Sequence, residues 1–183
     1  MAFQTIGFIG LGLIGGSIAK KMKSNQPDIK IYATAHHKET IAEAYREGLI
    51  ENNDLLPLSA FSDCDYIFLC APVQRNLAYL RQLKDIIRSD CYITDVGSTK
   101  TEIHEEVIRL GMEANFIGGH PMTGSEKTGI LSATNTLLEN AYYIITPTAL
   151  TPKEEISEFR DFVLSLGAIP LILDYKIHDY STA

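Results

Sequence analysis

The sequence lacks the marks of several large functional classes. Basic residues are outnumbered, 16 Lys and Arg against 23 Asp and Glu, for a formal net charge of −7. A non-specific nucleic-acid binder needs a basic face to meet the phosphate backbone, so no nucleic-acid partner is expected. No apolar run approaches the roughly 20 residues that a membrane helix requires, and no membrane partner is expected. Met1 leads directly into an apolar strand pattern without a charged n-region, so the chain reads as having no secretory leader. The three cysteines, Cys64, Cys70 and Cys91, are odd in number and lack metal-ligand spacing. Cys70 and Cys91 lie in or beside apolar strands and read as buried free thiols, with no metal site expected. Internal repeats, low-complexity tracts and Gly/Ser linkers are also missing. What remains is an ordinary globular mixture, 45% hydrophobic and 21% charged over 183 residues. That is enough for one well-filled domain and the start of a second, in a protein expected to be cytoplasmic.

Strand-like and helix-like patterns alternate almost without interruption. Strands are expected at 5–9, 30–34, 66–70, 92–95, 116–118, 141–146 and 169–173, and helices at 13–24, 39–47, 73–87, 100–110 and 152–166. This alternation predicts an α/β, Rossmann-like, doubly wound and mostly parallel sheet with helices on both faces. Pro72 and Pro152 suit first helical turns, Thr151 reads as a cap supported by Glu154, and Gly167 as a helix stop. The stretch from Gly118 to Asn140 breaks the alternation. It is long, rich in Gly and Thr and weakly periodic, and such segments in compact domains are usually functional.

Between the first strand and first helix lies Gly10-Leu11-Gly12-Leu13-Ile14-Gly15, the G-x-G-x-x-G spacing of a dinucleotide-binding unit. Gly10 permits the tight turn, Gly12 lets the backbone approach a pyrophosphate, and Gly15 lets the helix sit close on its strand. The helix N-terminus offers unpaired N–H groups to the phosphates. The plain alternative is a glycine-rich turn in an unrelated α/β domain. An acidic residue about 20 positions past the last glycine normally holds the adenosine ribose. Ala35 stands there instead, followed by His36, His37 and Lys38. Without a carboxylate to repel it, a 2′-phosphate could be met by these donors, so NADP is the preferred cofactor and NAD the alternative. A solvated polar turn is the competing reading of this cluster.

Ligands in doubly wound sheets bind beyond the carboxyl ends of the strands. Cys70, Ala71, Pro72 and Val73 follow one strand and would run beneath the dinucleotide. Gly97, Ser98, Thr99 and Lys100 follow another, with a helix cap by Ser98 or Thr99 as the bland reading. His120, between two glycines and a proline, reads as held on a stiff, exposed backbone. Histidine titrates near neutrality and can take a hydroxyl proton while a hydride leaves the same molecule. His104, among glutamates in a helical pattern, reads as part of a solvated face. His178 falls where the chain stops as a helix begins, which suggests that the parent protein continues.

These residues resemble the prephenate/arogenate dehydrogenase family. The likeness rests on the glycine loop, Phe68-Leu-Cys-Ala-Pro72, Thr94-Asp-Val-Gly-Ser-Thr-Lys100, Gly118-Gly-His-Pro-Met-Thr-Gly-Ser-Glu126 and His178-Asp179, in order across essentially the whole chain. It implies oxidative decarboxylation of prephenate to 4-hydroxyphenylpyruvate, or of arogenate to tyrosine. His120 matches the family's catalytic histidine. Ser98 matches a residue touching the substrate hydroxyl and the nicotinamide region. Glu126 matches an acid near the pocket mouth, with Ser125 and Lys100 beside it in the substrate pocket. The resemblance also implies that residues 1–173 form the dinucleotide-binding domain, while 174–183 lead towards an absent all-helical domain that supplies a substrate-binding arginine and most of a homodimer interface. On that reading the fragment alone binds dinucleotide and turns over poorly. Two rivals are a β-hydroxyacid or 6-phosphogluconate type dehydrogenase, and a non-catalytic nucleotide-sensing module.

Overall fold

A computed structural model describes residues 4–124, 126 and 128–182. Among these, seven strands form one sheet in the order β2-β1-β3-β4-β5-β6-β7. The strands β1 (Thr5–Ile9), β2 (Lys30–Thr34), β3 (Tyr66–Leu69), β4 (Tyr92–Asp95) and β5 (Phe116–Pro121) run parallel. The last two, β6 (Tyr142–Pro147) and β7 (Ile169–Ile172), are parallel to each other and reversed relative to the rest. The helices are α1 (Leu13–Asn25), α2 (Lys38–Arg46), α3 (Val73–Leu83), α4 (Thr101–Leu110), α5 (Lys153–Ser165) and α6 (Tyr175–Thr182).

Strand side chains alternate between two apolar layers, as a period of two requires. Ile6, Phe8 and Phe68 join Ile18 of α1, Ile41 of α2 and Phe159 of α5 on one face. Ile9, Ile67, Leu69 and Ile93 join Leu80 of α3 and Ile103 of α4 on the other. Helices therefore cover both faces, and β3 is fully buried, which explains its unbroken apolar run. Gly167 ends α5 in the left-handed region at φ 81°, its N–H donating to Leu164 O.

Two local expectations are corrected. Thr151 does not cap α5: its hydroxyl donates to Phe116 O at 2.8 Å and accepts from Thr148 N–H, tying the helix approach to β5 instead. The strand at 116–118 extends to Pro121 and is buried through Gly119, so the histidine stands on interior strand backbone, not on an exposed loop.

The reversal of β6 follows from the stretch between it and β5. Among the described residues no helical crossover is built there, only a 3-10 turn at Ile130–Ser132, and the excursion closes on itself where Met122 N–H donates to Tyr142 O at 2.7 Å. Its middle packs on α1, with Thr134 N–H donating to Ser17 Oγ, and it forms a wall over the carboxyl ends of β1 and β3.

The glycine pair before the histidine has a steric cause. A Cβ on Gly118 would collide with Thr146 Oγ1 and stand 2.8 Å from His104 Nε2, and one on Gly119 would stand 2.7 Å from Asp95 O and 2.8 Å from the Tyr143 hydroxyl. Gly119→Ala is therefore expected to lower unfolding free energy by about 1–3 kcal/mol, seen as a lower urea midpoint. An unchanged midpoint would show that β5 has slack.

Candidate active site

Gly10 turns the chain at φ 96°, with its Cβ position 2.7 Å from Cys70 C, so no side chain fits. At Gly15 a Cβ would meet Gly10 O at 2.7 Å and the Cys70 side chain at 3.1 Å, which seats α1 directly on the turn. Gly12 differs: nothing lies within 4 Å of its Cβ position. It caps α1 without a side-chain hydrogen bond, and the first turn carries no acid. The helix thus presents bare N–H groups and its positive dipole end to open space. Opposite, Asn76 Nδ2 donates to Ala71 O at 2.9 Å and Leu69 O at 3.3 Å, holding the turn after β3.

Two adjoining hollows of about 200 and 440 Å³ share Gly12, Cys70, Ala71, Pro72 and Gly129. Gly10, Leu11, Ala35, His36 and His37 line the first, Leu13, Ile14, Val96, Thr123 and Gly124 the second. Most of the residues expected to meet a dinucleotide are therefore gathered along one crevice. Gly15 serves packing, Lys38 and Val73 open α2 and α3, and Gly97 abuts Val73 with its Cβ position 3.1 Å from Cγ2. Burial, with Asp95 adding to it, pushes the Cys70 thiol well up, so it is a neutral wall rather than a nucleophile. Burial likewise holds Cys64 and Cys91 at about 12.

The sequence reading missed Arg75. It projects from α3 into the first hollow, and its Nη1 lies 3.2 Å from His36 Nδ1. A guanidinium donates only, so the His36 ring accepts here. Only the fold brings this residue, 39 positions away, to the end of β2.

Lys100 does not line a pocket. It is wholly buried, its ammonium paired with Asp95 Oδ2 and donating to Gly119 O at 2.7 Å. Burial pulls its pKa down and Asp95 pulls it back up. Asp95 also accepts from Gly97 N–H at 2.9 Å and Gly119 N–H at 3.3 Å. One carboxylate thus fixes the loop after β4 and the neighbouring strand. Ser98 stands exposed on that loop, and neither it nor Thr99 caps α4. The cap comes from far along the chain: Asp179 of α6 accepts Lys100 N–H at 2.7 Å and Thr101 N–H at 2.8 Å.

His120 stands half-buried near the carboxyl end of β5, outside the lining of the two hollows but two residues before Met122, where the excursion begins. Its Nδ1 is 2.8 Å from His178 Nε2, and His178 Nδ1 is 2.7 Å from Asp179 Oδ1. Burial, then the neighbouring His178 and Lys100, lower the His120 pKa to about 4 against a pull from Asp179. Burial raises the Asp179 carboxyl, but hydrogen bonds from Thr101, His178 and Lys100 outweigh it and hold the pKa at about 2. His104 is also corrected: it is fully buried, its Nε2 is 2.9 Å from Thr146 Oγ1, and its ring stacks on Tyr175 at 4.4 Å. Burial lowers its pKa to about 4. Glu126 is exposed in the excursion, and Ser125 lies outside the described residues. Only a long-range contact could have revealed Asp95, His178 and Asp179 as parts of one assembly.

Residues 18–170 match the family model described as prephenate dehydrogenase, nucleotide-binding domain. The chain is 40% identical over 178 residues to a prephenate dehydrogenase of Lactococcus lactis, covering 95% of this chain and 48% of that one. It superposes with a TM-score of 0.90 at 28% identity on Aquifex aeolicus prephenate dehydrogenase, solved with hydroxyphenyl propionate and NAD+, covering 99% of this chain and 63% of that one. For Synechocystis arogenate dehydrogenase the TM-score is 0.87 at 32% identity, covering 97% and 62%. The chain spans about half the length of the curated relatives it matches.

The two depressed imidazoles make acid stability a test. His104 and His120 stay neutral in the fold down to about pH 4, whereas the unfolded chain protonates both near pH 6.5. Unfolded chains then bind more protons, so stability falls as pH drops from about 6.5 to about 4. His120→Asn should make that fall shallower by up to one proton in urea unfolding series. An unchanged slope would mean that His120 titrates normally.

Proposed function

The chain belongs to the prephenate dehydrogenase nucleotide-binding domain family, and from that premise we propose that it binds a nicotinamide dinucleotide for the oxidative decarboxylation of prephenate to 4-hydroxyphenylpyruvate. Residues 1–173 are the dinucleotide-binding unit in this reading. The observation that carries it is the bare α1 terminus over the open space at Gly12, on the same sheet edge as a neutral, half-buried His120.

Gly10, Leu11 and Gly12 would hold the pyrophosphate through α1 amides, with Cys70, Ala71 and Pro72 as the opposing wall and Leu13 and Ile14 extending it. Bound there, an oxidised nicotinamide supplies the hydride acceptor. His120, neutral at pH 7, takes the proton of the ring hydroxyl as carbon dioxide leaves and the ring becomes aromatic. Ser98 is assigned to the hydroxyl and nicotinamide region, and Glu126 to the mouth of the pocket. The arogenate reaction is the second reading, favoured by the likeness to the Synechocystis enzyme.

For the cofactor we infer NADP over NAD. Ala35 offers no carboxylate to repel a 2′-phosphate, while His36, His37 and Arg75 line the same hollow, with Lys38 next in sequence.

Two measurements test these proposals. Titrated with each dinucleotide, Ala35→Asp and Arg75→Ala should each cost NADP about tenfold or more in affinity while leaving NAD nearly unchanged, the scale of one charged hydrogen bond. Equal losses for both would remove the 2′-phosphate assignment. With prephenate or arogenate and NADP, His120→Asn should lower turnover by about 10²–10⁴ with dinucleotide affinity intact, followed by reduced-nicotinamide absorbance. Retained turnover would defeat the base.

A further inference from the structure

Three side chains from two distant segments form a hydrogen-bonded row: Asp179 Oδ1, the His178 ring and the His120 ring, with steps of 2.7 and 2.8 Å. His178 is fully buried. A solvated structural histidine would have no need of a carboxylate on one nitrogen and an imidazole on the other. The direction of each bond follows from donor and acceptor counting. Asp179 already accepts the Lys100 and Thr101 amides at the start of α4, and an ionised carboxylate donates nothing. The proton of the 2.7 Å contact therefore sits on His178 Nδ1. A neutral His178 then has its lone pair on Nε2, which can only accept, so the proton between the rings belongs to His120 Nδ1. That leaves the lone pair of His120 on Nε2. Among the described residues no group hydrogen-bonds to that atom.

We propose that His178 and Asp179 are positioning residues that lock His120 in the tautomer whose Nε2 is the free base. This rests on the reading of His120 as the proton acceptor and adds what prepares it. Free imidazole side chains favour the opposite tautomer, with the proton on Nε2, in which that nitrogen is a donor and cannot take a proton. The other consequence concerns charge. When His120 Nε2 gains a proton, the Nδ1–H already points at a lone pair, and Asp179 lies one ring further on to balance the new cation. The charged and titratable groups facing His120 are His178 and Asp179 from α6 and the Lys100 ammonium from the start of α4. Lys100 and a charged His178 would both oppose the cation. Asp179 alone favours it, and does so through His178.

The row also explains why α6 sits where it does. Asp174 caps that helix by accepting Lys176 N–H at 2.9 Å and Ile177 N–H at 3.2 Å, so His178 and Asp179 project from a defined first turn. Asp179 then caps α4, whose own preceding residue Lys100 reaches Gly119 O, next to His120. The partner ring and the base are thus registered against each other through backbone.

The test reads protons on ring nitrogens directly, by long-range nitrogen–proton NMR of the uniformly labelled chain at pH 7, without substrate or dinucleotide. His120 should show a protonated Nδ1 and a bare Nε2, and His178 a protonated Nδ1. In His178→Phe, which keeps an aromatic ring but no acceptor, His120 should move predominantly to the Nε2–H tautomer. Burial, the first cause of its low pKa, remains in that variant, so its midpoint should stay well below the ordinary value near 6.5. His178→Gln, whose amide oxygen can still accept, should retain the native tautomer. A native His120 protonated on Nε2 overturns the proposal whether or not the variants fold, as does an unchanged tautomer in folded His178→Phe. These outcomes are separate from the base assignment itself, which stands or falls on turnover of His120→Asn.

Discussion

The buried carboxylate of Asp95 is the constraint on which the rest of the site depends. It neutralises a lysine that has no access to water, and it receives backbone donors from its own loop and from the adjacent strand. Removing one member of such a pair leaves an uncompensated charge in a low-dielectric interior, at a cost of about 3–5 kcal/mol. The geometry explains why the cost is tolerated. Through Lys100 the pair reaches the carbonyl of Gly119, and through the same residue's amide it meets the cap from α6. Strand, helix start and histidine row are thereby held to one reference point.

Much of the architecture was readable because it is written locally. The glycine spacing of residues 10–15 dictates a turn, a bare helix end and a tight helix seat: Gly10 makes the turn, Gly15 the close seat, and the Cβ position of Gly12 faces open space. The buried run of β3 and the alternation along β1 announce strands with helices on both sides. Histidine between glycines and a proline stood out by composition, although its setting is a buried strand and not an exposed turn.

Other features were invisible for a physical reason: they arise from pairs far apart in the chain. Lys100 reads as a loop cation until Asp95 and Gly119 close around it. His104 reads as one polar residue among glutamates until Tyr175 stacks on it and Thr146 meets its Nε2. Thr151 has the spacing of a cap, yet a carbonyl 35 residues away competes successfully for its hydroxyl. The reversal of β6 likewise depends on how the 122–141 excursion closes, which no periodicity encodes. Local pattern thus reports on elements, and the chemistry of the site resides in how they meet.

The short helix α6 joins two tasks that proteins usually keep apart. Of two consecutive residues, Asp179 caps the start of another helix and His178 meets the His120 ring, so fraying of this eight-residue element would release both at once. Local melting there would free the His120 ring from its partner while the sheet stayed intact. The setting of that imidazole is accordingly tied to the cohesion of one peripheral segment rather than to the stability of the whole.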